Sequence, residues 1–206
     1  MRKDGQWRPL FAALAAAAVA AAGCAGHGGG PAGPLMLRPA ETDVPGYSTQ
    51  ARSASFTAGG LRVTLHPLAP DEPSGSALID GLAAAGFVVI AMEISNSTNA
   101  KVVYNPIYTV MRDDELGYEK PLDLTDFHAM AREMDEGGRL LSEIEGRIYD
   151  LVEVIGPDRA VRRHLVFRPP DPEARRAEIT MDQVYVGATV TRLRFSFELL
   201  AAGRRP

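Results

Sequence analysis

The stretch Phe87-Val88-Val89-Ile90-Ala91-Met92-Glu93-Ile94-Ser95 decides the fold. Its first half is apolar at every position, so an extended chain there presents greasy side chains on both faces. That pattern suits a central strand covered on two sides. Working outward, Asn96-Ser97-Thr98-Asn99 is a turn, and Lys101 to Arg112 reads as the next strand. Pro106 interrupts it as an edge or a bulge, because proline cannot donate to a ladder. Asp113-Asp114-Glu115-Leu116-Gly117 is a further turn. Upstream, Leu61, Val63 and Leu65 alternate with Arg62, Thr64 and His66, the period of a half-buried strand.

The C-terminal part repeats this grammar. Arg162 to Arg168 is a strand stopped by Pro169-Pro170, and Ala177 to Val186 alternates through Ile179, Met181 and Tyr185 until Gly187 breaks it. Thr189 to Leu200 sets Leu193, Phe195, Phe197 and Leu199 on one face against Arg192, Arg194, Ser196 and Glu198 on the other. Gly156-Pro157-Asp158-Arg159 has proline where a type I turn wants it.

Three segments read as helices inserted in this frame. Ser76 to Ala85 is short and stops at Gly86. Asp123 or Thr125 can cap a helix through Met134, with Phe127, Met130, Ala131 and Met134 at helical spacing. A third runs from Arg139 to about Tyr149. Many short strands with turns between them predict a mostly β chain, an antiparallel β-sandwich with short helical insertions.

From about residue 60 to 200 the residues resemble the telokin-like, immunoglobulin-type β-sandwich domains carried by many bacterial lipoproteins. The shared features are the apolar strand ending in Ile94-Ser95-Asn96, a strand leading into Asp114-Glu115-Leu116-Gly117-Tyr118, and a Gly-Pro turn before His164-Leu165-Val166-Phe167. The connection from Glu119 to about Leu151 is longer and more helical than such domains usually have. The resemblance implies an immunoglobulin-like fold and extracytoplasmic interaction rather than catalysis.

The first residues carry an address. Arg2, Lys3 and Arg8 precede an unbroken apolar run from Leu10 to Ala22, followed by Gly23-Cys24. This is the pattern of a cleavable export signal. The run is shorter than the roughly 20 apolar residues of a bilayer-spanning helix. Ala21-Ala22-Gly23-Cys24 resembles the lipobox of bacterial lipoproteins, with alanine where leucine is usual three places before the cysteine. The resemblance implies cleavage between Gly23 and Cys24 and acylation, including palmitate, on Cys24. An ordinary cut at Ala20-Ala21-Ala22 is the competing reading. Cys24 is the only cysteine, and acylation would remove an unpaired thiol from an oxidising compartment. Two or more acyl chains hold a protein stably at a bilayer where one does not. Ala25 is not the aspartate associated with inner-membrane retention, so the resemblance implies the periplasmic face of the outer membrane.

The full chain has 206 residues and a net charge of −4, and losing the signal makes the remainder more acidic. An acidic body argues against nucleic acid as a partner. From Ala25 to about Ser55 the chain is rich in Gly and Pro and reads as a flexible tether. The expected organisation is therefore a signal peptide at 1–23, a tether at 24–55 and a sandwich domain at 56–202.

No catalytic constellation emerges, and no metal or cofactor is expected. His27-Gly28-Gly29-Gly30 imitates an oxyanion loop, but no G-x-S-x-G elbow accompanies it. His128, Met130 and Met134 could suggest copper, yet positions two apart on a helix face opposite ways and Met130 and Met134 share an apolar stripe. Asp113-Asp114-Glu115 lacks calcium-loop spacing and reads as a solvated hairpin end. Arg162, Arg163 and Arg168, with Arg175 and Arg176, read as edge-strand protection rather than an anion site. Asn96-Ser97-Thr98 is a turn rather than a glycosylation site, and His66 and His164 show no ligand partner at recognisable spacing. The expected function is a non-enzymatic cell-envelope lipoprotein, held at a membrane by Cys24, whose sandwich contacts an envelope protein. The alternative is a periplasmic small-ligand or metal-binding module, with the helices from Leu124 to Ile148 as a lid over one end.

Overall fold

A computed structural model describes residues 35–134 and 136–201. Twelve strands follow in chain order: β1 (Leu35–Pro39), β2 (Tyr47–Gln50), β3 (Ser53–Ala58), β4 (Leu61–Pro67), β5 (Val88–Asn96), β6 (Val102–Tyr104), β7 (Thr109–Asp113), β8 (Tyr118–Glu119), β9 (Glu153–Ile155), β10 (Arg159–Phe167), β11 (Arg176–Val186) and β12 (Thr189–Ala201). Among the described residues three helices interrupt them: α1 (Ala77–Ala84), α2 (Leu124–Ala131) and α3 (Gly137–Ile144).

The strands form two antiparallel sheets. One has five strands in the order β10-β5-β4-β3-β2. The other has seven: β1, β12 and β11 lie side by side, and the free edge of β11 is shared by β6, which continues to β9, and by β7, which continues to β8. The sheets face each other across one core that includes Leu65, Ile90, Met92, Tyr104, Leu165, Ile179, Phe195 and Phe197. This is a β-sandwich with short helical insertions, the architecture shared by immunoglobulin-type domains.

β5 justifies its two-faced sequence. It runs between β4 and β10, and Val88, Ile90, Met92 and Ile94 enter the inter-sheet core. Val89 and Ala91 point the other way, into a second core with Leu78, Ile79 and Leu82 of α1, Phe127 of α2, and Leu140 and Ile144 of α3. The helices thus form a third layer on the five-stranded sheet, rather than a lid over one end of the sandwich. Their apolar stripes find an already apolar sheet face, and burying both removes more surface from water than capping an end would.

The tether boundary requires correction. The sequence places 24–55 outside the fold, but β1 pairs with β12 from Leu35↔Ala201 to Pro39↔Phe197, and β2 pairs with β3. Leu37 is buried, and the Tyr47 ring lies 4.9 Å from Phe56 and 5.5 Å from Phe195. The Tyr47 hydroxyl accepts from the Arg194 amide at 2.9 Å, joining the two sheets. Gly and Pro in 39–46 shape the crossing between the sheets, which composition alone reads as slack.

Three smaller differences have local causes. The strand expected over 101–112 is two strands separated by a 3-10 turn at Pro106–Tyr108, whose first free amide, Ile107 N–H, is taken by the Asn105 side chain at 3.1 Å. β11 slips register between Met181 and Val184, so Val184 is buried and Tyr185 turns outward, off the face expected from its spacing. Asp158 has φ +54°, which excludes a type I turn at Gly156–Arg159. The β3–β4 hairpin is closed by Gly59 and Gly60 at φ +56° and +86°, the glycine pair that a tight two-residue turn favours.

Candidate functional site

Ser53, His66 and Glu72 converge on the outer face of the five-stranded sheet. The two-residue loop Ala51-Arg52 returns the chain so that Ser53 begins β3. On β4, Leu61, Val63 and Leu65 turn inward, leaving Arg62, Thr64 and His66 outward. The pairing Ala54↔Leu65 then sets Ser53 beside His66. Glu72 closes the following turn, its amide donating to the Ala69 carbonyl at 2.9 Å.

Ser53 Oγ lies 2.9 Å from His66 Nδ1, and His66 Nε2 lies 3.0 Å from Glu72 Oε1. Arg52 donates to the other carboxylate oxygen, Oε2, at 2.6 Å. Partial burial pushes the Glu72 pKa up, but the hydrogen bonds from His66 and the Ala69 amide and the charge of Arg52 outweigh it, leaving it below the usual carboxylate value. A carboxylate can only accept, so it assigns the proton of a neutral His66 to Nε2 and leaves Nδ1 as acceptor for the Ser53 hydroxyl. His66 and Glu72 keep 26% and 30% of their side-chain surface exposed, so the chain of bonds is open to solvent.

The outer face of the seven-stranded sheet is divided. At one end Glu198 stands opposite both Arg38 and Arg176, and Glu178 stands opposite both Arg112 and Ser196. Arg38 pairs with Glu198, Arg194 with Glu178 at 3.4 Å and Arg192 with Asp182 at 2.6 Å. The Arg112 guanidinium lies over the Tyr118 ring. A groove of about 1000 Å³ opens here, but its arginines alternate with carboxylates, so this half largely neutralises itself. At the other end, the register sets Val190, Tyr185, Val103 and Val154 in one row across four strands. Val190 and Val154 are 52% and 54% exposed, and Ile107, Tyr108, Leu151 and Val152 are exposed in the flanking segments.

Gly23, Cys24 and the His27–Gly30 string lie outside the described residues. His128 is exposed while Met130 packs against the helical core, so α2 separates them as the spacing predicts. Among the described residues no group of three His, Cys, Asp or Glu could hold a metal ion, and no helix is long and apolar enough to cross a membrane.

The acidic turn is not merely solvated. Asp113 Oδ1 accepts from the Glu115 and Gly117 amides, its Oδ2 accepts from the Asp171 amide, and Asp114 Oδ1 accepts from the Arg175 and Arg176 amides. The predicted arginine cluster is split between sheets. Arg162 and Arg163 sit on β10, at the edge of the five-stranded sheet, with Arg163 bound to Glu153 at 3.0 Å. Arg168 bonds Asp126 at 2.8 Å, and Arg176 belongs to β11 of the other sheet.

Asn96 is 1% exposed, so it cannot accept a glycan. His164 donates from Nδ1 to the Arg147 carbonyl at 3.1 Å. His66, read as a lone strand residue, was the signal missed. Its partners lie 13 residues before and 6 after, on a hairpin and a turn, with no motif to connect them.

No known protein-family model matches this chain, and no curated protein matches it. Among solved structures, the yjhA protein from Bacillus subtilis aligns over 62% of this chain and 76% of its own, with 14% identity and a TM-score of 0.36.

Proposed function

We propose that this chain is a cell-envelope lipoprotein, acylated on Cys24, whose sandwich docks another envelope protein through the row Val190-Tyr185-Val103-Val154. The exposed row is the observation that carries the reading. Val190 and Val154 are more than half exposed with partly exposed Tyr185 and Val103 between them, four apolar residues aligned across four strands, while exposed Leu151 and Val152 lead into β9 and exposed Ile107 and Tyr108 follow β6. A protein face that is apolar and aromatic complements it.

The position of the row favours a separate partner over this chain's own N-terminal segment. β1 begins opposite Ala201, at the far end of β12 from Val190. At about 3.3 Å per residue, Ala201 to Val190 is roughly 36 Å. The eleven-residue step from Cys24 to Leu35 reaches only about that far when fully extended. At full stretch such a segment would only just touch Val190 and would have no residues left to lie across Tyr185, Val103 and Val154, which favours a separate partner.

The test is photocrosslinking in whole cells, with the probe placed at residue 154 or 190 of the full chain and, as a control, at residue 62 on the other sheet. A reproducible adduct is expected at 154 and 190, absent at 62, and weakened at least tenfold by Tyr185→Asp. Adducts of equal yield at all three positions, or none at 154 and 190, overturn the docking face. Release of the Cys24→Ala chain from membranes checks the anchor separately.

A further inference from the structure

We propose that Ser53, His66 and Glu72 form a nucleophilic relay that hydrolyses short-chain acyl esters. This goes beyond the docking role, and it departs from the expectation that the chain has no catalytic residues. That expectation rested on the absence of a sequence motif. Residues scattered over a hairpin, a strand and a turn leave none, although they meet within hydrogen-bonding distance.

The geometry places each group where its task requires it. Glu72 is held as a carboxylate by Arg52, by the Ala69 amide and by His66 itself. It fixes the imidazole so that the basic Nδ1 faces the Ser53 hydroxyl at 2.9 Å. The two ring nitrogens are used in the reverse order to the chymotrypsin arrangement, but the requirement is the same: one nitrogen free to take the serine proton, the other N–H steadied by an anion. Ser53 and His66 are catalytic residues in this scheme, and Glu72 is a positioning residue.

The chemistry balances without a cofactor. Ser53 Oγ bonds to the ester carbonyl carbon as its proton passes to His66 Nδ1. The C–O bond to the alcohol then breaks, and the alkoxide takes that proton from His66 and leaves as the alcohol. Water adds to the acyl-serine, giving its proton to Nδ1, and the collapse of that adduct returns the proton to Ser53 as the carboxylic acid departs. His66 and Glu72 are 26% and 30% exposed, so the site opens to solvent on a face that the helices cover elsewhere, and the substrate class it suits is a short acyl group, such as acetyl, on an exposed alcohol. An ester suits such an open site better than an amide, because its leaving group needs less help from a protein environment.

The probes are p-nitrophenyl acetate and a fluorophosphonate, applied to the full chain in detergent. Fluorophosphonate is expected to label Ser53, as read by peptide mass spectrometry. Ser53→Ala and His66→Gln should each lower acetate hydrolysis by about 100-fold or more. Glu72→Gln should lower kcat with KM for the acetate unchanged, and Glu72→Asp should recover part of the rate, since an anion at that position steadies the imidazole. Thermal midpoints of the variants separate loss of activity from loss of fold. Equal hydrolysis by wild type and a folded Ser53→Ala, or labelling that spares Ser53, overturns the proposal. A lowered thermal midpoint with unchanged hydrolysis would make the cluster a clasp on the hairpin, and that result overturns it too.

Discussion

His164 shows how one burial choice becomes a pH dependence. It stands on β10 across Ala91 from His66, with its backbone amide and its ring both bonded to the Arg147 carbonyl. Burial lowers its pKa most. Arg162 and Arg147 lower it further, while the bond to the Arg147 carbonyl and the charge of Asp80 oppose them. In the unfolded chain the ring returns to about 6.5. As pH falls below that value the unfolded chain takes up a proton that the native chain refuses, so stability is full above about pH 6.5 and declines on acidification until the folded pKa is passed. The urea midpoint should therefore fall between pH 7.5 and 5.5 in the wild type, and fall less in His164→Gln. His66 and His128 are common to both proteins, so the difference isolates His164, and parallel curves would refute its half-buried, neutral state. Asn96 marks the limit of reading single residues from sequence. The sequence shows it as a turn residue, whereas it is the last residue of β5, and its side-chain oxygen accepts from the Thr98 amide in the turn that follows. Nothing in the sequence shows its amide donating to the carbonyls of Ile155 and Gly156, because those partners are 59 and 60 residues away.

Elements were readable where one local signal dominated. α2 starts at Asp123, as its capping residue predicts, with Asp126 completing a reciprocal capping box. It stops at Ala131, short of Met134, because the chain turns there to begin α3. β12 buries the face its alternation assigns. Elements were misread where long-range pairing decided: β6 and β7 look like one strand because both pair with β11, on either side of its slipped register. The same logic explains the acidic turn. Asp114 lies between β7 and β8, yet it satisfies the amides that open β11. Those two amide bonds, with the Arg176 charge nearby, hold its carboxyl below the usual range despite a small opposing desolvation. Asp114→Ala should speed hydrogen exchange at the Arg175 and Arg176 amides by about tenfold or more, the range of a lost hydrogen bond, while Glu115→Ala leaves them unchanged. Acid should reproduce the effect. The carboxylate's contribution is complete above its ordinary pKa of about 4 and is lost as pH falls through its lower folded value. Unchanged exchange in Asp114→Ala would mean that other contacts hold the loop.

At the scale of the whole molecule, the two-sheet architecture followed from period-two patterning and turn spacing, but the domain's edge did not. A run of Gly and Pro reads as linker by composition, and only the register of β1 on β12 shows that the domain begins by residue 35. The Ser53-His66-Glu72 cluster and the apolar row were hidden for the same reason, since each exists only after segments apart in sequence are laid side by side. The boundary has a direct consequence for stability. A chain starting at Phe56 keeps α1, α2 and α3 but loses β1, β2 and the first half of β3, and with them buried Leu37 and Ala54 and the Tyr47 bridge between sheets. Removing a single large buried side chain typically costs about 2–5 kcal/mol, against about 5–15 kcal/mol for a whole domain. It also bares the backbone of β4 and β12 as new unpaired edges that invite aggregation. A chain starting at Leu35 should therefore melt cooperatively, whereas one starting at Phe56 should be unfolded or aggregated at the same temperature. Matching melting curves by circular dichroism would mean that the first two strands merely decorate a core complete without them. Leu37→Ala in the longer chain gives the graded version, with an expected loss of about 2–4 kcal/mol, because the truncated side chain leaves a cavity beneath an edge strand held by its neighbours on one side only.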